Sequence, residues 1–147
     1  MTDWEYLHIA YACAQQAYRL DEVPVGAIVV HNQRVIGQGF NQKETHQQAY
    51  CHAECMAIIE ASRVLKTWRL LDCDLYSTLE PCPMCAGLIM QSRLRRVVYG
   101  AKDRKWGAVG SVVDLSVQGL FNHSLHWEYQ EHPPSSEILK TFFKQKR

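Results

Sequence analysis

The chain predicts an α/β fold in which helices cover both faces of a central sheet. Segments with apolar residues at helical spacing alternate along the chain with short apolar runs typical of buried strands. Residues that break regular structure stand at several of the boundaries between these segments. The resulting order, α-β-β-α-β-α-β followed by further elements, is typical of folds that sandwich a sheet between helices.

The first segments predict a helix and a β-hairpin. Apolar residues recur at helical spacing over about residues 3–19, and Pro24 prevents this helix from continuing. The apolar run over residues 25–30 predicts a buried strand. Residues 32–33 predict a turn, and residues 35–40 predict the hairpin partner of the strand.

The middle of the chain predicts two helices that begin at candidate metal ligands. A polar segment over residues 41–50 predicts a loop, and residues 52–65 predict a helix from their apolar spacing. Residues 74–79 predict a third strand. Residues 82–92 predict the next helix, because Pro81 interrupts the strand and small and apolar residues follow it.

The last segments predict one more strand and a terminal helix. Residues 96–100 are apolar enough for a strand, and Gly107 and Gly110 mark a flexible loop after it. Pro133-Pro134 followed by two serines is a helix start signal, so residues 135–146 predict an amphipathic helix.

Length and composition predict one ordinary globular domain over residues 1–147. Apolar residues make up 47% and charged residues 21% of the 147 residues. The formal net charge of +1 does not by itself indicate a nucleic-acid partner. Three basic clusters are more suggestive, although a solvated surface explains each of them singly: Arg93, Arg95 and Arg96; Lys102, Arg104 and Lys105; Lys140, Lys144, Lys146 and Arg147.

The sequence lacks an apolar run of membrane length and the pattern of a secretory signal peptide. We therefore expect a cytoplasmic protein with no membrane partner. Its cysteines are then expected to stay reduced.

One histidine and a Cys-x-x-Cys pair predict a catalytic zinc site. His52, Cys82 and Cys85 offer three ligands, and a catalytic Zn²⁺ keeps three protein ligands and leaves its fourth position to water. Such a zinc ion lowers the pKa of its water toward about 7. Glu54, two residues after His52, is placed to take that proton and deliver it to a substrate nitrogen and a departing amine. This His-x-Glu pattern, followed by Pro-Cys-x-x-Cys, resembles the known signature of zinc nucleobase deaminases, which implies hydrolytic deamination with release of ammonia.

A zinc ribbon or a redox pair fits these residues less well. A lone Cys-x-x-Cys pair is often half of a ribbon or a redox pair, but a ribbon needs a second pair, and a redox pair leaves His52 and Glu54 without a role. Cys51 and Cys55 bracket His52, so a ligand set that includes them stays open at this point. The cysteines outside the pair are expected to be buried small apolar residues: Cys13, Cys51, Cys55 and Cys73.

Four stretches carry a resemblance to a known family: residues 24–27, 67–73, 78–87 and 98–111. From about residue 24 to residue 143 the chain resembles the bacterial tRNA-specific adenosine deaminases of the zinc-dependent cytidine and deoxycytidylate deaminase superfamily. The resemblance implies a three-layer cytidine-deaminase-like fold with a central mixed five-stranded sheet. It also implies a homodimer that binds the tRNA anticodon stem-loop and converts the wobble adenosine of tRNA(Arg) to inosine.

The resemblance also implies roles for individual residues. His52, Cys82 and Cys85 would bind Zn²⁺, and Glu54 would move protons. The implied substrate-binding residues are Asn41, which would hold the target nucleoside; Val23 and Pro24, which would form pocket wall; Asp103 and Lys105, in a loop against the anticodon backbone; and Phe143, near the flanking nucleotides.

Three segments depart from the family pattern. Residues 49–51 read Ala-Tyr-Cys where small and apolar residues are usual, Pro83 replaces a usual valine, and residues 127–137 differ from the usual approach to the last helix. The Cys-Pro-Met-Cys sequence of residues 82–85 also occurs in guanine deaminases. One alternative is therefore a deaminase of a free nucleobase, guanine or cytosine. An alternative of another class is a non-catalytic, zinc-stabilised RNA-binding protein, which leaves Glu54 without a role.

Overall fold

The structure, a computed structural model, describes residues 1–146, and Arg147 of the basic tail lies outside them. The elements follow in chain order as α1 (Asp3–Arg19), β1 (Gly26–His31), β2 (Arg34–Phe40), α2 (Lys43–His46), α3 (Ala53–Leu65), β3 (Cys73–Ser77), α4 (Pro83–Gln91), β4 (Arg96–Tyr99), β5 (His126–Tyr129) and α5 (Pro133–Gln145).

The five strands form one mixed sheet in the order β2-β1-β3-β4-β5. Strand β1 is antiparallel to both of its neighbours, β2 and β3, whereas β3, β4 and β5 run parallel to one another. The parallel pairs need crossover connections, which α4 and the long segment before β5 supply. The predicted mixed five-stranded sheet is confirmed.

Both faces of the sheet are covered, which explains the continuous apolar run of β1. Ala27 and Val29 pack in a core with residues of α3 and α4, while Ile28 and Val30 pack against α1 on the opposite face. Helix α5 lies beside α1, where the rings of Tyr18 and Phe142 meet edge to face with centroids 6.3 Å apart. This arrangement confirms the three-layer fold class.

Most element boundaries follow their local signals. Asn32 and Gln33 turn the hairpin with φ values of 49° and 63°, as a two-residue turn with both centres in the left-handed region requires. His52 and Cys82 are the N-cap residues of α3 and α4. Helix α5 begins at Pro133, earlier than expected, because proline is well suited to the first helical position.

Two elements were not found from the sequence pattern. The segment predicted as a loop over residues 41–50 contains the four-residue helix α2. Strand β5 was also missed, because its residues are exposed or half-buried at a sheet edge and lack clear apolar alternation. No helix within residues 1–146 combines the length and apolar character needed to cross a membrane.

The first basic cluster is not a simple solvated surface. Arg96 is half-buried and forms ion pairs with Asp3 of α1 and Glu128 of β5. Arg95 pairs with Asp74 at 3.0 Å. These contacts tie α1 and neighbouring strands together, so the expectation of a wholly solvated cluster is wrong for Arg96.

Candidate active site

The candidate site lies at one end of the strands of the sheet, where β2, β3 and β4 end and β1 begins. We call this end of the strands the site edge. The N-terminal ends of α3 and α4 point to this edge, because their N-caps are His52 and Cys82. Gly26 at the start of β1 and Thr78 after β3 exchange two hydrogen bonds here, of 2.9 and 3.1 Å. Active sites of α/β sheets commonly form at such an edge.

The three predicted metal ligands converge at this edge. Nδ1 of His52 lies 3.6 Å from Sγ of Cys82 and 3.5 Å from Sγ of Cys85. The three donor atoms lie within 4.8 Å of one another. Cys85 is buried, and His52 and Cys82 are partly exposed. These residues form a group that could hold a metal ion.

The spacing suits a tetrahedral ion with nitrogen and sulfur ligands. A tetrahedral zinc bonded at about 2.05 Å to nitrogen and about 2.3 Å to sulfur separates these two atoms by about 3.6 Å. The observed separations of 3.5 and 3.6 Å agree with this value. Two thiols and one imidazole also match the ligand chemistry that zinc prefers.

The other cysteines near His52 lie outside this group. The thiol of Cys51 donates to the side-chain oxygen of Gln48, 3.3 Å away. Sγ of Cys55 lies 3.7 Å from Sγ of Cys85 and is buried, yet Cys55 is not part of the converging set among residues 1–146. All four cysteines outside the Cys-x-x-Cys pair are buried.

Glu54 lies in the first turn of α3, and only 4% of its surface is exposed. Burial raises the pKa of Glu54 to about 7. A carboxyl group with this pKa can both accept and donate a proton near neutral pH, which a proton shuttle requires.

The two thiols of the cluster differ in pKa. A hydrogen bond between Cys85 and Cys82 lowers the pKa of the Cys82 thiol to about 4. Hydrogen bonds to Cys55 and Cys82 raise the pKa of Cys85. The hydrogen bond with Cys82 raises the pKa of His52. The lowered pKa of Cys82 favours its thiolate, which is the form of cysteine that binds a metal ion.

Comparisons with known proteins show the family of this chain. The profile of the MafB19-like deaminase family matches residues 1–147. A tRNA-specific adenosine deaminase of Aquifex aeolicus (strain VF5) is 41% identical over 142 residues, which are 97% of this chain and 94% of that protein. A solved structure from studies of tRNA:A34 deaminases is 39% identical, with a TM-score of 0.82 over 86% of this chain and 97% of that chain. The chain belongs to the tRNA-specific adenosine deaminase family.

A guanine deaminase of Bacillus subtilis is more distant in structure. It is 36% identical, with a TM-score of 0.67 over 69% of this chain and 66% of that chain. The two deaminase classes therefore share the fold, and the substrate-binding positions must be compared residue by residue.

Asn41, one of the substrate positions expected from the deaminase family, contacts Ala53, the residue between His52 and Glu54. The side-chain Oδ1 of Asn41 accepts a hydrogen bond from the N–H of Ala53, 2.9 Å away. The N–H of Asn41 donates to the carbonyl of Val25, the residue that follows Pro24. Pro24 is buried and Val23 half-buried, and Val23 packs against the core that contains Ala53.

The remaining substrate positions of the deaminase family form a second group. Oδ1 of Asp103 accepts hydrogen bonds from the N–H groups of Lys105 and Trp106, at 3.0 and 3.2 Å. Nζ of Lys105 lies 5.9 Å from the ring centroid of Phe143, which is 45% exposed. The structure thus brings Lys105 and Phe143 together, and Asp103 shapes the loop rather than standing free.

Sequence reasoning missed two buried carboxylates beside these groups. Glu80 precedes the Pro81-Cys82 segment, and Glu22 precedes Val23; each is 2% exposed. Glu22 accepts hydrogen bonds from the backbone of Glu44 and from both the backbone and the hydroxyl of Thr45. The position of Glu80, two residues before the predicted ligand Cys82, was a signal in the sequence. Its burial could not be predicted, because it depends on the loop over residues 103–111, which is distant in sequence.

Proposed function

We propose that this protein is a zinc-dependent hydrolase that deaminates the wobble adenosine in the anticodon loop of tRNA(Arg), yielding inosine and ammonia. The observation that carries the proposal is the convergence of His52, Cys82 and Cys85 beside the buried carboxyl of Glu54. The similar proteins named tRNA-specific adenosine deaminase support the substrate. We further propose that residues 1–147 form one deaminase domain and that the protein is cytoplasmic.

His52, Cys82 and Cys85 would hold the zinc ion. When bound, this ion would supply a water of lowered pKa, toward about 7, as the nucleophile for hydrolysis. The three side chains lie at the N-terminal ends of α3 and α4, where the helix dipoles favour the thiolate form of the cysteines.

Glu54 would move the protons of the reaction. Its carboxylate would take a proton from the attacking water and deliver it to a ring nitrogen of adenine, and a second transfer would protonate the departing amine. Burial supports this role in two ways. It holds the pKa near neutrality, and it keeps bulk water from competing for the proton.

The two groups of substrate positions would act on different parts of the RNA. Asn41 uses Oδ1 to hold the start of α3, which leaves its Nδ2 group to donate to the target nucleoside. Val23 and Pro24 would form pocket wall around the extruded base. Lys105 would meet phosphate near the base, and Phe143 would offer an aromatic face for a flanking nucleotide, a contact worth about 1–3 kcal/mol.

A free-base deaminase remains the second candidate, because the guanine deaminase of Bacillus subtilis shares this fold at 36% identity. The test incubates purified protein with an anticodon stem-loop that carries the wobble adenosine, and separately with guanine and cytosine. Inosine in the RNA and released ammonia are measured in each. We expect inosine in the stem-loop. Ammonia from a free base, with no inosine in RNA, would reject the proposal.

We also propose that the protein acts as a homodimer through α3 and α4. A groove of about 930 Å³ lies between these helices, with Ile59 and Leu88 among its apolar lining residues. Trp68, which also lines the groove, is 55% exposed, and Met84, one turn before Leu88 on α4, is 42% exposed. A second copy would cover this apolar surface, whereas the neighbouring Ile89 belongs to the core.

A further inference from the structure

Within residues 1–146, Glu80 is a buried carboxylate without a cationic partner. It is 2% exposed, and no ion pair found within residues 1–146 includes it. A buried charge is costly unless hydrogen bonds compensate it. The compensation for Glu80 must therefore come from neutral donors.

The donors to the Glu80 side chain within the described chain come from one loop. Oε1 accepts from the N–H of Asp103 at 3.1 Å and from the hydroxyl of Ser111. Oε2 accepts from the N–H of Val109 at 2.9 Å and from the N–H of Ser111 at 3.2 Å. The loop over residues 103–111, expected from its glycines to be flexible, is thus wrapped around a single carboxylate.

Gly107 shows how closely the loop surrounds this carboxylate. A Cβ atom at Gly107 would lie 2.4 Å from Oε2 of Glu80 and 2.4 Å from the carbonyl oxygen of Asp103. No side chain fits at this distance, so the loop requires glycine here for its approach to Glu80.

Glu80 also connects the loop to the metal-binding segment. Its own N–H donates to the carbonyl of Ala101, and the N–H of Ala108 donates to the carbonyl of Pro81, which precedes Cys82. The carboxylate therefore sets the position of Asp103, whose side chain in turn holds the N–H of Lys105. A chain of hydrogen bonds runs from the start of the Cys-x-x-Cys segment to Lys105.

We propose that Glu80 is a positioning residue that shapes the 103–111 loop so that Lys105 and Phe143 receive RNA next to the metal-binding residues. This inference rests on the proposed function, since it assigns the loop to substrate binding. Glu80 does not touch the substrate; it acts through the backbone of Asp103, Val109 and Ser111. The carboxylate is required because it can accept from all four donors at once, which a neutral side chain cannot do.

The test replaces Glu80 in the full zinc-loaded protein by glutamine. The carboxamide has one carbonyl oxygen, so at least one loop donor loses its acceptor. We expect faster amide hydrogen exchange at Asp103, Val109 or Ser111. On the stem-loop substrate we expect KM to rise roughly tenfold, which is the size of effect expected when one base-stacking contact is lost. The turnover number and the zinc content should stay near those of the unmodified protein.

Two further variants make the result decisive. Glu60→Gln makes the same carboxylate-to-carboxamide change at an exposed position of α3, away from the 103–111 loop. It should leave the hydrogen exchange of the loop and the KM unchanged. Gly107→Ala disturbs the same contact from the loop, because the added Cβ meets Oε2 of Glu80. It should raise KM in the same way, and it provides a second test if Glu80→Gln fails to fold.

The possible outcomes separate the two proposals. Faster exchange with an unchanged KM, unchanged exchange, or loss of zinc with a matching fall in turnover would each overturn the positioning role. If the unmodified protein does not deaminate the RNA, the proposed function fails first. In that case the hydrogen-exchange data still show whether Glu80 holds the 103–111 loop in place.

Discussion

The imidazole Nδ1 of His52 lies 3.5 Å from the thiol of Cys85, although 33 residues separate them in the chain. The two residues meet because α3 and α4 begin at the same edge of the sheet. This contact brings the Cys-x-x-Cys segment to the histidine that is followed by Glu54. Zinc binding and proton transfer are both expected to depend on it.

Cys85→Ala is expected to abolish stoichiometric zinc binding, because three ligands are the minimum of a catalytic site. Cys55→Ala is the matched control, since it removes a buried thiol 3.7 Å away that is not one of the three converging donors. Zinc content per chain, measured by elemental analysis after gel filtration, distinguishes the two variants. Equal loss of zinc in both variants would make Cys55 a ligand and would require a different donor set.

Glu54→Gln is expected to retain zinc and lose about 10²–10⁴-fold in turnover, the usual contribution of a general acid–base group. Glutamine has nearly the same shape, so the fold and the metal group should be preserved. Single-turnover deamination of the stem-loop and zinc content should both be measured. Turnover close to that of the unmodified protein would exclude Glu54 as the proton shuttle.

The sequence predicted the metal-binding residues better than their surroundings. His52, Glu54 and the Cys-x-x-Cys pair stand in a short local pattern, and the helix starts at Ala53 and Pro83 are set by neighbouring residues. Glu80 and strand β5 could not be found this way. The burial of Glu80 depends on Val109 and Ser111, which are distant in sequence, and β5 is recognisable only through its pairing with β4.

Lys105→Glu is expected to weaken binding of the anticodon stem-loop and to reduce the salt dependence of binding by about one phosphate contact. Arg34→Glu is the control, because Arg34 is also exposed but is the first residue of β2, next to the hairpin turn. Fluorescence anisotropy at several salt concentrations gives both quantities. If the salt dependence of binding is the same in the Lys105 variant as in the unmodified protein, Lys105 makes no phosphate contact and is an ordinary solvated surface residue.

Asp3→Asn is expected to lower the free energy of unfolding at neutral pH by about 1–3 kcal/mol, because the charged hydrogen bonds between α1 and β4 are lost. The Arg96 guanidinium, which hydrogen-bonds the carboxylate, holds the pKa of Asp3 below its ordinary value. The stabilisation is therefore complete above the ordinary pKa of about 3.9 and is lost as the pH falls through the lower folded-state pKa.

Denaturant unfolding of the two proteins at a series of pH values tests the role of Asp3. Their stability difference should shrink as the pH falls below about 3.9. The exposed pair between Asp21 and Lys146 provides the control, since Asp21→Asn should change stability by about 0–1 kcal/mol. A stability difference for Asp3→Asn that does not vary with pH would show that the charge of Asp3 is unimportant.

Leu88→Glu is expected to yield a monomer, because it replaces an apolar lining residue of the groove between α3 and α4 with a charge that the second copy would bury. Leu20→Glu is the control at a site that is 50% exposed at the end of α1. Light scattering coupled to gel filtration measures the mass of each. A monomeric unmodified protein, or a Leu88 variant that stays dimeric, would contradict the proposed interface.

Deamination of the anticodon stem-loop in water enriched in oxygen-18 tests the zinc-dependent hydrolysis itself. The zinc-loaded protein should release ammonia in step with inosine, and the new oxygen of inosine should come from the solvent. Removal of zinc with a chelator should stop the reaction, and added zinc should restore it. Undiminished inosine formation by protein that elemental analysis shows to be free of metal would contradict the proposed mechanism.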